Sequence, residues 1–389
     1  MSSTFRILHC LRAPVGGLFR HVHDLAIGQA ELGAEVGVVC DSHGRGDELA
    51  VALSRLEDNC ALGVTRLPMS RRPGLNDWRV YRKIAKLAGK LDVDVLHGHG
   101  AKGGAYARLA GRRLRKKRGT KVVYTPHGGV LHYSPSTFSG RLYLAAERKL
   151  APLTDGIIFE SVYAANCYGE RIGPPHCPAE VICNGLYRHE FYESLLADDA
   201  ADFVFIGELR KLKGVDVFLE ALAAHQTIFP GRAIIVGSGP DERHFKRMAR
   251  KLGLTARVTF SGPQPARTAF VRARCVVVPS RVESFPYIVL EAAAAQMPLI
   301  VTDVGGIPEI MGNVPMPLIP PGDVEALASQ LRAFLADPKP FLVRAAELQK
   351  HVARNFTVEQ MTRDVVDFYI SDLGAGIHKL PELDAERAS

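Results

Sequence analysis

Short apolar runs alternate along the chain with longer segments whose apolar positions recur every three or four residues. In the first half, Phe5–His9, Glu35–Cys40, Val93–His97, Lys121–Thr125, Gly156–Phe159 and Glu180–Cys183 read as buried strands. The segments between them, Leu18–Leu32, Asp77–Lys90, Gly103–Arg115, Ser139–Leu150 and Val162–Arg171, have helical spacing. Near-continuous apolar strands separated by amphipathic helices are the pattern of parallel α/β architecture. Gly33 closes the first helical segment, where a C-cap commonly needs positive φ. Around Asn184-Gly185 the pattern turns irregular, and the polar stretch Leu186–Ala201 is the expected interdomain linker. A second series follows, with strands Phe203–Ile206, Arg232–Val236, Arg257–Phe260, Cys275–Pro279, Pro298–Val301 and Met316–Ile319. Its helices are Val215–His225, Asp241–Leu252, Arg267–Ala273, Tyr287–Gln296 and Asp323–Ala336. Two more helical segments, Pro340–Arg354 and Val358–Leu373, lead into a polar end, His378–Ser389, that is expected to fray. The pattern predicts two consecutive parallel α/β domains of similar size, with ligand expected where the strands' carboxyl ends face the cleft between them.

Length and charge sharpen this picture. A chain of 389 residues suits two or three domains. The formal charge of +8 is uneven: residues 1–190 hold 27 Lys+Arg against 17 Asp+Glu, whereas residues 191–389 hold 22 against 24. A basic front half and a near-neutral back half predict different partners for each. The first ten residues lack a basic lead and a long apolar run, so no secretory leader is expected. No apolar stretch reaches the roughly 18 residues that a bilayer span requires. Seven cysteines, odd in number and without a Cys-x-x-Cys pair, point to free thiols in a reducing cytosol.

Candidate chemistry gathers at strand ends. Arg281-Val282-Glu283-Ser284-Phe285-Pro286-Tyr287 follows a strand and opens a helix, with Glu291 in that helix's second turn. Pro286 suits the first helical turn, and the free amides of that turn suit an anion such as phosphate. Glu283 and Glu291 beside an anion would repel it unless they accept hydrogen bonds from neutral hydroxyls, which argues for a sugar and a ribose flanking a diphosphate. The same pair also reads as two solvated glutamates on a surface helix. Arg210, Lys211 and Lys213 lie just past the second series' first strand, as cations for a leaving diphosphate or as a solvated loop. Gly237-Ser238-Gly239-Pro240 lacks the third glycine of a dinucleotide fingerprint.

In the first half, Gly16 and Gly17 would let a ligand approach the backbone closely. His127, in Thr125-Pro126-His127-Gly128-Gly129, would hydrogen-bond a sugar hydroxyl or carry a proton, or serve structure alone. His97-Gly98-His99 raises metal ligation, but no nearby carboxylate or cysteine completes a ligand set. Asp92-Val93-Asp94 has the form of a metal-binding Asp-x-Asp, yet it leads into the start of a strand and reads as a helix-to-strand turn. No metal is expected. The basic run Arg112, Arg113, Arg115, Lys116, Lys117 and Arg118 is assigned to a loop between a helix and a strand. It lacks the interleaved aromatics of single-strand nucleic-acid binders; an anionic membrane surface is the better partner, with a solvated loop as the plain alternative.

Taken together in order and spacing, these residues resemble the family-four retaining glycosyltransferases of the GT-B fold (glycosyl transferases group 1). The likeness rests on Gly16-Gly17, His127-Gly128, Asn184-Gly185, Lys213-Gly214 and Val236-Gly237-Ser238-Gly239-Pro240. It continues through Phe260-Ser261-Gly262, Glu283 with Glu291, Val304-Gly305-Gly306-Ile307-Pro308-Glu309 and Pro321-Gly322-Asp323. The resemblance implies two Rossmann-like α/β domains facing a central cleft: an acceptor-side domain over residues 1–190 and a donor domain over 200–357. A helix at about 358–376 would cross back to the first domain, and 377–389 would form a polar tail.

It further implies a nucleotide-diphosphate sugar as substrate, with no cofactor and no metal. Glu291 would bind ribose, and Lys213 with Arg210 the diphosphate. Glu283 with Ser284, Phe285 and Tyr287 would hold the sugar, Gly239 would line the donor site, and the Phe260–Pro263 region, with Gly262, would sit near the base. His127, Gly16 and Gly17 would reach across from the first domain. Two positions depart from the family pattern: Glu208 stands where arginine is common, and Pro286 where glycine is common.

The expected enzyme is a retaining hexosyltransferase that serves a lipid-linked or oligosaccharide acceptor in surface polysaccharide synthesis. It would be cytoplasmic, at the inner face of the membrane, contacting anionic lipid through Arg112–Arg118 and binding no nucleic acid. The alternatives are a nucleotide-sugar 2-epimerase of the same fold and a non-catalytic sugar-nucleotide-binding protein.

Overall fold

A computed structural model of the chain describes residues 5–44, 46–71, 73–224 and 231–374, the side chains of Glu48 and Lys117 excepted. The tail assigned to 377–389 lies outside the described residues. The chain divides into two compact units: Met1–Asn184 with Val358–Ser389, and Gly185–Thr357.

The first unit runs β1 (Arg6–Leu11), α1 (Gly16–Glu31), β2 (Glu35–Asp41), α2 (Asp47–Asn59), β3 (Gly63–Leu67), α3 (Asn76–Leu91), β4 (Val95–His99), α4 (Gly100–Arg118), β5 (Lys121–Thr125), α5 (Phe138–Leu150), β6 (Gly156–Phe159), α6 (Val162–Arg171) and β7 (Ala179–Val181). The strands pair in parallel in the order β3-β2-β1-β4-β5-β6-β7. Side-chain caps start two of its helices: Thr137 accepts from the Gly140 amide and Ser161 from that of Ala164, each satisfying an amide the helix leaves open. Beneath α5 the guanidinium of Arg108, fully buried, donates to Glu147 through both terminal nitrogens and stacks 4.0 Å from the Tyr124 ring centroid.

The second unit runs β8 (Ala201–Ile206), α7 (Val215–Ala224), β9 (Ala233–Val236), α8 (Glu242–Lys251), β10 (Val258–Gly262), α9 (Ala266–Phe270), β11 (Ala273–Val278), α10 (Tyr287–Ala294), β12 (Leu299–Thr302), α11 (Ile307–Met311), β13 (Leu318–Ile319), α12 (Val324–Ala336) and α13 (Lys339–Asn355). Its parallel order is β10-β9-β8-β11-β12-β13. A core of Phe203, Phe205, Phe218, Phe245, Ile235, Val277 and Leu331 joins sheet and helices. The alanines Ala292–Ala295 are fully buried. The chain then returns to the first unit as α14 (Val358–Asp367), which continues in a wider turn, Phe368–Asp372.

Both orders are doubly wound: chain direction across the sheet reverses between β1 and β4 in one unit and between β8 and β11 in the other. Loops leaving the carboxyl ends of such a pair diverge and open a crevice, where open α/β sheets bind ligands. The parallel α/β expectation holds in both units.

Three local readings change. Helices α2 and α11 and strand β3 were not anticipated; β3 is an edge strand, mostly half-exposed, with no apolar run to mark it. The basic run of 112–118 lies on the last two turns of α4 rather than in a loop. Arg and Lys are good helix formers and favour a helix's carboxyl end; Gly119, at φ 71°, ends the helix. Pro286 is the N-cap of α10, one position before its first turn.

Candidate active site

In the second unit, the loops after β8 and β11 meet at the point where the strand order reverses. Lys213 Nζ donates to both carboxylate oxygens of Glu283, at 2.7 and 2.8 Å. Glu283 also accepts from Ser280 Oγ at 2.7 Å. The carboxylate side chain is 8% exposed and the lysine 25%, so the cation keeps one face toward solvent. Arg281 braces the arrangement, donating to both oxygens of Asp216 at 2.6 and 3.0 Å and to the Lys211 carbonyl at 2.7 Å.

Glycine makes this convergence possible. Gly214 has φ +72°, and a Cβ there would stand 1.8 Å from the Pro279 carbonyl oxygen; one at Gly305, φ +61°, would stand 2.2 Å from that of Glu283. Three loops therefore approach closer than any side chain would allow, with the lysine and the glutamate at their meeting point.

The other expected donor residues fall nearby in the same unit. Arg210 is about one-third exposed and pairs with Glu208 only at 3.6 Å, a weak surface contact. Phe285 is buried and packs edge-on against Phe356, so its side chain serves the core and leaves its backbone to the loop. Ser284 accepts from the Gly306 amide through its carbonyl, at 2.6 Å. Tyr287 opens α10. Glu291, one turn further on, lines a pocket with Tyr192, Pro265, Arg267 and Phe270, the last three on the segment that follows Gly262. A Cβ at Gly262 would meet nothing within 4 Å. At Gly239 it would stand 2.4 Å from the Leu209 carbonyl, so that glycine is explained by loop packing.

In the first unit, the crevice between β1 and β4 is a pocket lined by Arg12, Val15, Leu18, His99, Lys102, His127 and Tyr133, among others. Gly16 and Gly17 begin α1 at its edge. Beneath it lies a feature that sequence reasoning missed. His9 on β1 is the register partner of His97 on β4, and His99 stands two residues on, so the strand pleat aims all three rings to one side. His21 on α1 and His127 after β5 complete a group of five. The links are His9 Nδ1 to His99 Nε2 at 3.0 Å and His99 Nδ1 to His127 Nε2 at 3.1 Å. His9 Nε2 donates to Gln29 Oε1 at 2.7 Å, and His21 Nδ1 to Asn184 Oδ1 at 2.9 Å. His97 contacts Tyr369 Oη at 2.6 Å and Thr125 Oγ1 at 2.8 Å.

Burial, which penalises the charged imidazolium, depresses all five pKa values. His9 falls to about 4 despite the bond to Gln29, and His127 to about 3. His21, His97 and His99 lie well below the usual histidine range, lowered by burial and further by neighbouring histidines of the group. All five are neutral at pH 7. The expectation that nothing completes a set around His97-Gly98-His99 considered carboxylates and cysteines only; the partners are histidines, brought in by strand register.

Residues 15–188 match the profile of Glycosyltransferase Family 4, and residues 188–355 match that of Glycosyl transferases group 1. D-inositol 3-phosphate glycosyltransferase of Rhodococcus erythropolis is 30% identical over 302 residues, spanning 71% of this chain and 67% of that protein. The chain belongs to the group 1 glycosyltransferases. Glycogen synthase of Mycobacterium tuberculosis is 26% identical over 382 residues, 92% of this chain and 91% of that protein. In structure, Anabaena HepE in complex with UDP-glucose aligns with a TM-score of 0.79 at 20% identity, covering 94% of this chain and 99% of the other. The fold of this glycosyltransferase is accordingly GT-B.

Proposed function

We propose that this glycosyltransferase moves a hexose from a nucleotide-diphosphate sugar, with retention of anomeric configuration, to a lipid-linked or oligosaccharide acceptor in surface polysaccharide synthesis. The observation that carries the reading is the Lys213–Glu283 pair at the β8/β11 reversal, a partly exposed cation and a buried carboxylate beside the start of α10. Lys213 and Arg210 neutralise the leaving diphosphate, so that step needs no metal. Glu283 and the backbone from Ser284 to Tyr287 hold the hexose, Glu291 the ribose, and the segment around Gly262 the base. The complex of HepE with UDP-glucose supports a uridine donor here. Attack from the face that the diphosphate leaves, through an oxocarbenium-like ion pair, asks the protein for charge stabilisation and positioning rather than for a nucleophile.

The acceptor side is the β1/β4 pocket. Its rim carries Arg12, Arg71 and Lys102, and its neighbouring segments expose Val15, Leu75, Trp78, Phe138 and Leu142. Cations with exposed apolar residues suit a phosphorylated lipid at the inner face of a membrane. The basic residues Arg112–Arg118 lie toward the opposite end of α4, about 18–27 Å from its first residue. Any lipid contact they make is therefore away from the pocket. Among the described residues, no helix is long and apolar enough to cross a membrane.

A thermal-shift panel of UDP, GDP, ADP and their sugars tests the donor site. Ligand at about 100 times Kd adds roughly 2.7 kcal/mol to stability, so one nucleotide class should raise the melting temperature, and Lys213→Met should blunt the response. If no nucleotide shifts the transition, the donor reading fails. Incubation with donor alone should yield no epimer; epimer formation would favour the 2-epimerase.

A further inference from the structure

Among the described residues, two histidine triads each bring one ring nitrogen per residue to within 4.8 Å of the others: His9/His97/His99 and His21/His99/His127. The first triad is saturated. His9 spends its nitrogens on Gln29 and His99, and His97 spends its own on Tyr369 and Thr125. The second is not. His21, 1% exposed, gives Nδ1–H to Asn184, which leaves a lone pair on Nε2, and that buried nitrogen has no hydrogen-bond partner among the described residues.

The tautomers of the neighbours follow link by link. Gln29 Oε1 only accepts, so His9 carries its proton on Nε2 and accepts through Nδ1. His99 must then donate from Nε2, and its Nδ1 is a lone pair facing His127 Nε2 at 3.1 Å. Two lone pairs, on His21 and His99, thus turn toward the same place. A proton on His127 Nε2 satisfies His99 and leaves His21 unmatched, at the cost of a buried polar group.

We infer that His21 Nε2, His99 Nδ1 and His127 Nε2 form a binding site for a divalent metal ion of the zinc class. Neutral imidazoles are the ligands such ions prefer. Asn184 behind His21, and His9 with Gln29 behind His99, are the outer hydrogen-bond acceptors that usually fix metal-binding histidines in the required tautomer. Three protein ligands leave one position of a tetrahedral ion for an oxygen ligand, and His99 and His127 both line the β1/β4 pocket from which it would enter. A bound ion also holds His127 with its proton on Nδ1. The site belongs wholly to the first unit and does not rest on the donor reading, whose cations belong to the second.

The test uses the full chain without a polyhistidine tag, stripped with chelator, given zinc and desalted. Mass-spectrometric metal analysis should find one zinc per chain. Competition with a chromophoric chelator should find binding at least about tenfold weaker in His21→Ala and about 10–100-fold weaker in Asn184→Ala. X-ray absorption of the wild-type zinc form should show three imidazole nitrogens at roughly 2.0–2.1 Å and no sulfur, a result that stands even where a variant fails to fold. Substoichiometric zinc, thiolate ligation, or a folded His21→Ala that binds as the wild type would each overturn the assignment. Stoichiometry is read without turnover, so its failure leaves the donor reading untouched.

Discussion

Replacing Lys213 by Met keeps most of the side chain's bulk and removes its charge. With Nζ at 2.7 and 2.8 Å from the Glu283 oxygens, the gross attraction is about 6 kcal/mol at an effective dielectric of about 20. Desolvation offsets much of this. Stripping one partner from a fully buried pair costs about 3–5 kcal/mol, and because Lys213 is a quarter exposed, about 1–3 kcal/mol of stability should be lost here. Ser280 still donates to Glu283, so the variant should fold, melting a few degrees lower. Its larger effect should be on turnover. Losing one preorganised charge at a developing anion typically costs about 10²–10³ in kcat, read as nucleoside diphosphate release from the donor that the thermal-shift panel selects. Glu283→Gln and the double variant complete a cycle: if lysine acts only by holding Glu283, the double variant should be no slower than Glu283→Gln. We expect a further loss, because the lysine's open face serves the diphosphate. Turnover of folded Lys213→Met within about threefold of wild type would refute this placement of the leaving group.

Two further outcomes follow from the first unit. Arg108→Met leaves the Glu147 carboxylate buried without its cation and should cost about 3–5 kcal/mol in a urea titration, whereas Arg108→Met with Glu147→Leu should recover much of it; equal costs would mean the pair is not desolvated as described. The five histidines, four of them buried and His127 partly so, stay neutral when folded but take up protons when unfolded below about pH 6.5. Their stabilising contribution is therefore complete above that pH and is lost as pH falls toward the folded values of about 4 for His9 and about 3 for His127. With chelator present, each histidine should add up to about 1.4 kcal/mol per pH unit to the slope. Unfolding free energy that is flat between pH 7 and 5 would contradict their burial, and His9→Asn should reduce the slope.

What the sequence made legible was whatever rests on local pattern. Buried parallel strands are apolar almost throughout, so β1, β2, β4, β5 and the central strands of the second unit stand out. Lys213 and Glu283 were found because each sits at a fixed offset from a strand end. Gly214 and Gly305 had only the family's order behind them, and the structure supplies their reason in close loop approach. Strand β3 escaped because edge exposure removes its apolar signature. The histidine group escaped for another reason: His9 and His97 are 88 residues apart and become neighbours only through register, while His21 arrives from a helix. A signal was present, since both histidines stand near the ends of apolar runs that a doubly wound order pairs.

Transfer with retention is tested most directly by the anomeric form of the first product. With an α-linked nucleotide hexose and an accepted acceptor, or water where none is found, proton NMR during the first turnovers should show the α-configured product before mutarotation. A β-configured first product would contradict same-face attack and with it the mechanism proposed for Lys213, Glu283 and the leaving diphosphate.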